Sequence, residues 1–240
     1  MNRPLLPLIL ISLLFPLSCG GKDGGALGVD EPIDLGPPLV LQPHELCSDS
    51  DNPANTIGTF EDANVEGLVR YYFTNQFNQT QGQPLFCPLL AQVSHVEVLS
   101  VALGIESLVG VQNLPGGVIF ELDNNLITDL SPLRGLRNLI ELGLDNNPDL
   151  SDLGALSGVT SLTHLRLRFN SIIDIGALRG LTNLRYLTLT NNPDLTDIQP
   201  LLDNTGLGAG DEVLLAGTNV SCLDVALLEA KGVTVASGCP

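Results

Sequence analysis

His164, Arg166 and Arg168 alternate with Leu165 and Leu167. In an extended strand this spacing sends the three polar side chains to one face and the two leucines to the other. Paired guanidiniums can bind carboxylates, and an imidazole beside them can move a proton. The two arginines stand out because the chain has 10 Lys and Arg against 27 Asp and Glu, a formal net charge of −17. Other candidate chemistry is sparse. No Ser/His/Asp set, phosphate-binding glycine loop or His-Glu metal motif occurs. A His–Glu pair such as His164 with Glu141, lacking a nucleophile, is a weak catalytic signal. His44 and His95 are isolated from His164, and no two Cys have the close spacing of a zinc ligand pair. Asn147-Pro-Asp149 and Asn192-Pro-Asp194 carry single carboxylates on separate repeats, without the dense oxygen spacing of a calcium loop. The sequence therefore points to no catalytic residue, no cofactor and no metal, and to a chain that is not an enzyme.

What positions these side chains is a repeat. Leu136-Arg-Asn-Leu139-Ile-Glu-Leu142-Gly-Leu144-Asp-Asn-Asn147 returns as Leu181-Thr-Asn-Leu184-Arg-Tyr-Leu187-Thr-Leu189-Thr-Asn-Asn192. A fixed period of this kind means that each unit stacks on its neighbour to bury its apolar face. The strand core runs Val96 and Val98, Phe120 and Leu122, Leu142 and Leu144, Leu165 and Leu167, Leu187 and Leu189, Val213 and Leu215. The step before the last pair is longer, and its extra residues, Leu201 to Gly210, are expected to bulge from the convex side. Asn125, Asn147, Asn170 and Asn192 sit where the chain leaves each strand, where an amide can satisfy turn backbone groups. Thr128-Asp129, Ser151-Asp152 and Thr196-Asp197 suit turn or helix-start hydrogen bonds.

Strand alternation then defines an exposed face: Glu97 and Leu99; Ile119, Glu121 and Asp123; Glu141, Gly143 and Asp145; His164, Arg166 and Arg168; Tyr186, Thr188 and Thr190; Glu212, Leu214 and Ala216. It is acidic in its first half, basic on one strand, then neutral with one Tyr. One reading is cross-strand pairing, with Arg168 facing Asp145 and His164 facing Glu141. The other is a partner-binding patch of Glu121, Asp123, Glu141, Asp145, His164, Arg166, Arg168, Tyr186 and Thr188, with Tyr186 as an interface anchor.

Leu139–Asn147, Leu162–Asn170 and Leu184–Asn192 match Leu-x-x-Leu-x-Leu-x-x-Asn, and so resemble leucine-rich repeats. Phe60–Arg70 looks like the helical cap of bacterial internalin-like leucine-rich-repeat proteins, and the tail from Gly206 is similar to the C-terminal cap of exported members. The resemblance implies an α/β solenoid: a leucine-rich-repeat horseshoe with short parallel strands on the concave face, a helical N-terminal cap and a disulfide-bonded C-terminal cap.

The flanks read as export machinery. Arg3 precedes an apolar run, Leu5 to Leu17, too short to span a bilayer and fitting a signal-peptide core. Leu17-Ser18-Cys19-Gly20 resembles a bacterial lipoprotein signal with Cys19 lipidated; ordinary cleavage nearby is the alternative. The expected layout is signal peptide 1–18, flexible lipoprotein tether 19–43, N-terminal cap 44–92, repeats 93–220 (about five or six) and C-terminal cap 221–240. Within the first cap, Asp62 should start a helix through Val65, Leu68, Val69 and Tyr72, Asn75–Gln83 should form a polar loop, and Pro84–Val93 a second short helix. In the last, Leu223–Lys231 should be a helix, with Leu227, Leu228 and Val233 covering the open end. Cys47, Cys87, Cys222 and Cys239 form an even set, for which disulfides are the default in an exported protein. Of three possible pairings, Cys47–Cys87 and Cys222–Cys239 are favoured because each brackets one end of the array.

The acidic balance argues against nucleic acid and against electrostatic docking on anionic lipid. The expectation is a monomeric, surface-exposed, lipid-anchored binding module at the outer membrane or cell surface, gripping a protein or glycan. The alternatives are a structural envelope lipoprotein without a specific ligand, and a periplasmic or secreted location.

Overall fold

In the described coils one apolar pair, such as Leu142 and Leu144 or Leu187 and Leu189, turns inward, and the buried side chains of successive coils stack into a continuous core. The computed structural model describes residues 39–42, 45, 47, 56–77, 84–85, 87–93, 95–97 and 102–239. The expected signal segment, Cys19, most of the expected tether, His44, residues 78–83 of the expected polar loop, Val98 and Leu99 lie outside them.

The N-terminal cap joins two short parallel strands, β1 (Leu39–Val40) and β2 (Thr56–Ile57), to helices α1 (Ala63–Phe77) and α2 (Cys87–Leu90). Leu39–Val40, expected within the tether, pairs with β2, and Leu41 is buried, so these residues belong to the cap. Asp62 opens α1: its Oδ1 accepts the Asn64 N–H at 2.8 Å. Its other oxygen accepts the Glu106 N–H at 2.9 Å, tying the cap to the first coil. Val65 and Val69 are fully buried. The helix continues to Phe77, so Asn75–Phe77 are helical and not the start of the polar loop. The first strong breakers come only at Gly82 and Pro84. A disulfide joins Cys47 to Cys87. Asn113 holds that segment, accepting the Cys47 N–H at 2.7 Å and donating to the Glu45 carbonyl at 2.9 Å.

Beyond α2 runs a parallel, open sheet in sequence order: β3 (His95–Glu97), β4 (Ile119–Glu121), β5 (Glu141–Gly143), β6 (His164–Arg166), β7 (Tyr186–Thr188), β8 (Glu212–Leu214) and β9 (Thr234–Ala236). Between strands the chain returns through short 3₁₀ helices such as Gly154–Gly158 and Gly176–Gly180. Each return begins with an Asp turn: Asp129, Asp152, Asp174 and Asp197 accept the N–H two residues on at 2.7–2.8 Å.

The Asn positions carry the bend chemistry. Asn192 is fully buried; it accepts the Ile172 N–H at 2.9 Å and donates to the Leu167 and Leu189 carbonyls at 2.8 Å each. Asn125, Asn147 and Asn170 bridge coils in the same way. The residue just before each is left-handed: Asn124, Asn146, Phe169 and Asn191, with φ of 56–61°. Gly217 fills that slot in the next coil at φ 74°.

The longer step before β8 does not bulge outward. Its residues form α3 (Gln199–Asp203), and Leu201, Asn204 and Leu207 are buried because their apolar or amide groups complete the core. The C-terminal cap is α4 (Cys222–Ala230), capped by Ser221 Oγ and stapled by Cys222–Cys239. Val225, Leu228 and Val233 close the core, whereas Leu227 faces solvent on the same side as Leu223. The tail also adds β9, a seventh strand on the sheet. Among the described residues no helix is long and apolar enough to cross a membrane.

Candidate functional site

The register aligns the outward side chains in rows. One row is Ile119, Glu141, His164, Tyr186, Glu212 and Thr234; the next is Glu121, Gly143, Arg166, Thr188, Leu214 and Ala236. Asp123, Asp145, Arg168 and Thr190 follow two residues on, just past the ends of β4, β5, β6 and β7.

The two arginines are committed inside this sheet. Arg166 reaches across β5 to Asp123 at 3.0 Å and Glu121 at 3.4 Å, with Asp145 at 3.9 Å. It can do so because residue 143 is Gly: a Cβ there would collide with Arg166 Nη2 and stand 2.8 Å from Asp123 Oδ1. Arg168 pairs with Asp145 through Nη2 at 2.7 Å and Nε at 2.8 Å. The carboxylates also hold backbone: Asp123 accepts the Asp145 N–H at 2.8 Å, and Asp145 accepts the Arg168 N–H at 2.6 Å. For Arg166, burial would lower the guanidinium pKa, but Asp123 above all, then Glu121 and Asp145, raise it past its ordinary value. For Arg168 the Asp145 hydrogen bond leads, burial opposes it, and further attraction from Asp145, Tyr186 and Asp123 leaves the pKa raised. Both side chains stay cationic, and their charge is spent on the sheet.

Two residues of the expected patch are not surface at all. Asp145 is 6 % exposed because both arginines lie against it, and Thr188 is 0 % exposed, flanked in register by Arg166 and Leu214. Thr188 donates to Thr190 Oγ1 at 3.2 Å.

The first row remains. His164 stands beside Glu141 in register, as the alternation implies, but the two form no ion pair. The His164 ring instead stacks with Tyr186, with centroids 6.0 Å apart and planes at 28°, and its Nδ1 lies 2.8 Å from Thr163 Oγ1. His164 and Glu212 are exposed, and Glu141 and Tyr186 are half-buried. Among the described residues, neither the Glu141 nor the Glu212 carboxylate has a hydrogen-bond or ion-pair partner. No cluster of three or more metal-ligating side chains occurs among the described residues.

Reasoning from the sequence missed Gly143, whose role depends on how far Arg166 reaches. It also missed Phe169. The left-handed slot reads Asn, Asn, Phe, Asn in successive coils, a substitution visible in the repeat alignment itself. Phe169 is 55 % exposed and borders a shallow hollow lined by Asp123, Asn124, Asp145, Asn146 and Arg168.

This arrangement of period, sheet and Asn turns is a leucine-rich-repeat solenoid. The family model for leucine-rich repeats (two copies) matches residues 160–203. No curated protein sequence matches the chain. Among solved structures it is similar to an internalin (inlF) from Listeria monocytogenes, with 24 % identity and a TM-score of 0.62 over 77 % of this chain and 58 % of that one. The chain thus spans little more than half the length of that relative. It is also similar to internalin C2 from Listeria monocytogenes, with 24 % identity and a TM-score of 0.47 over 77 % of this chain and 96 % of that one. A leucine-rich-repeat protein of Leptospira interrogans shares 20 % identity and a TM-score of 0.46 over 55 % and 33 % of the two chains. At these identities the likeness is one of fold.

Proposed function

We propose that this chain is an exported binding module, anchored by a lipid on Cys19, that recognises a protein or glycan on the open concave face of its sheet. The observation that carries the reading is the row Glu141, His164, Tyr186 and Glu212. Its rings stack on each other at the surface, and its carboxylates hold nothing in the fold. No hydrogen bond or ion pair among the described residues depends on the two carboxylates, and Tyr is enriched at interface hot spots. Disulfides at both ends of the array support an oxidising compartment outside the cytoplasm. Cys19 is the odd cysteine beside that even set, and Gly20-Gly-Lys-Asp-Gly-Gly25 after it suits a tether.

A photo-crosslinking side chain at Thr234 or Ile119, which border the row, should capture a partner in cells that produce the chain. The same probe at Ser157 or Arg137, outside the sheet, should not. Adducts from the second pair alone would remove the concave face from the reading. Mass spectrometry of the mature protein should find acyl chains on an N-terminal Cys19; an unmodified residue there would remove the anchor.

A further inference from the structure

We infer that the row Glu141–His164–Tyr186–Glu212 binds cationic side chains, so that the partner is a protein segment carrying two Lys or Arg residues in extended conformation. The inference rests on the sheet face being the binding face and adds the chemistry of what it takes.

Three observations lead there. First, the cations already on the face are neutralised: Arg166 by Asp123 and Glu121, Arg168 by Asp145. Arg168 lies close enough to Tyr186 for the two to interact electrostatically, but its guanidinium is held by Asp145. Second, Glu141 and Glu212, the carboxylates left over, lie at the two ends of the row, one beside His164 and one beside Tyr186. Third, the space between them is filled by a stacked ring pair. A guanidinium or ammonium over a tyrosine face is attracted by the ring quadrupole, and a flanking carboxylate strengthens that attraction. An anion or apolar side chain would gain nothing from either glutamate.

The dimensions select the spacing. Strands lie about 4.8 Å apart, so the two glutamates are about 14 Å apart, too far for one cation to serve both. In an extended segment crossing the strands, side chains two residues apart on one face are separated by about 6.6 Å. The ring centroids are 6.0 Å apart. Two basic residues separated by one other residue thus stand above the ring pair, and their long side chains diverge past its outer edges, each toward its own carboxylate. The chain's net charge of −17 would speed the approach of such a segment.

The test is an NMR titration of the full chain with capped Gly-Arg-Gly-Arg-Gly, following the ring signals of His164 and Tyr186. The chain has three His and three Tyr, so H164A and Y186A assign these signals by their disappearance. The peptide should shift both rings saturably, and Gly-Glu-Gly-Glu-Gly should shift neither. The double variant E141Q/E212Q should weaken binding by about tenfold, while E106Q/E229Q, which removes two charges elsewhere, should leave it unchanged. Equal weakening in both variants means bulk charge attraction and overturns the inference, as does the absence of ring shifts. The same ring shifts with calcium chloride would replace the peptide with a metal ion and also overturn it. Absent ring shifts alongside successful cross-linking from Thr234 would retire the cationic partner and leave the binding face standing.

Discussion

The Arg166 guanidinium lies across Gly143 and reaches Asp123, just past the end of β4, at 3.0 Å. A strand position that would favour any β-branched side chain is kept bare so that one cation can bind two strands away. Glycine in a strand interior is ordinarily worse than alanine by roughly 0.5–1 kcal/mol. Here the sign inverts.

Gly143→Ala should therefore destabilise the fold by about 1–2 kcal/mol, because the added methyl displaces Arg166 from its carboxylates. In an Arg166→Ala background the cost should shrink without vanishing, because the methyl still stands 2.8 Å from Asp123 Oδ1, which the Asp145 N–H holds. Urea unfolding of the four proteins closes a double-mutant cycle. Additive effects would show that Gly143 and Arg166 are not coupled.

Phe169 sits in the left-handed slot that Asn124, Asn146 and Asn191 fill in the other coils. That backbone conformation costs a non-glycine residue roughly 1–2 kcal/mol, and Asn tolerates it best. The ring is more than half exposed, so removing it loses little burial. Phe169→Asn should raise stability by about 1 kcal/mol and the melting temperature by roughly 2–4 °C. A melting temperature that falls would mean the ring contributes more packing than its exposure indicates.

Asn192 makes three hydrogen bonds from a fully buried amide, one accepted and two donated. Asn192→Asp keeps the shape and the acceptor for the Ile172 N–H but removes both donors. It also sets a carboxylate against the Leu167 and Leu189 carbonyls. The loss should exceed about 3 kcal/mol, more than for Asn192→Ala, which introduces no charge. Calorimetry on the two variants orders them, and an Asp variant as stable as the native chain would refute the ladder's energetic role.

These cases mark what a sequence of this kind makes legible. The leucine pairs, the Asn turns and Asp62 at the start of α1 follow from local chemistry repeated at one period, so they can be read from the residues. The strand β9 is harder to read: Val235 keeps the repeat's phase, pairing in register with Val213, but Ser237 stands where the second leucine of the pair should be, so the Leu-x-Leu signal is halved. The outward face of the sheet was legible as a face but not in its division of labour. Alternation places Arg166 and Glu141 on the same side, yet which carboxylate an arginine takes depends on side-chain reach across Gly143. The basic strand accordingly reads as a patch in the sequence, while in the fold it is internal wiring. What it leaves uncommitted is the neighbouring row with Tyr186.

The Lys231 ammonium closes the C-terminal end by a contact that no local pattern announces. Its Nζ donates to the Leu201, Leu202 and Asn204 carbonyls at 3.0, 2.9 and 2.6 Å. These belong to the last turn of α3, whose carbonyls have no partner within the helix. A cation there also offsets the negative end of the helix dipole. Three charge-assisted bonds from a half-buried ammonium make this the main polar link between α3 and the end of α4. Lys231→Met keeps the stem and removes the charge. It should cost about 1–2 kcal/mol and raise amide exchange in residues 199–208 ahead of the central coils, since end coils have one neighbour instead of two. Lys231→Arg should recover part of the loss, because a planar guanidinium cannot converge on three carbonyls as an ammonium does. Exchange rates in residues 199–208 unchanged by Lys231→Met would show that α3 is held by its buried leucines alone.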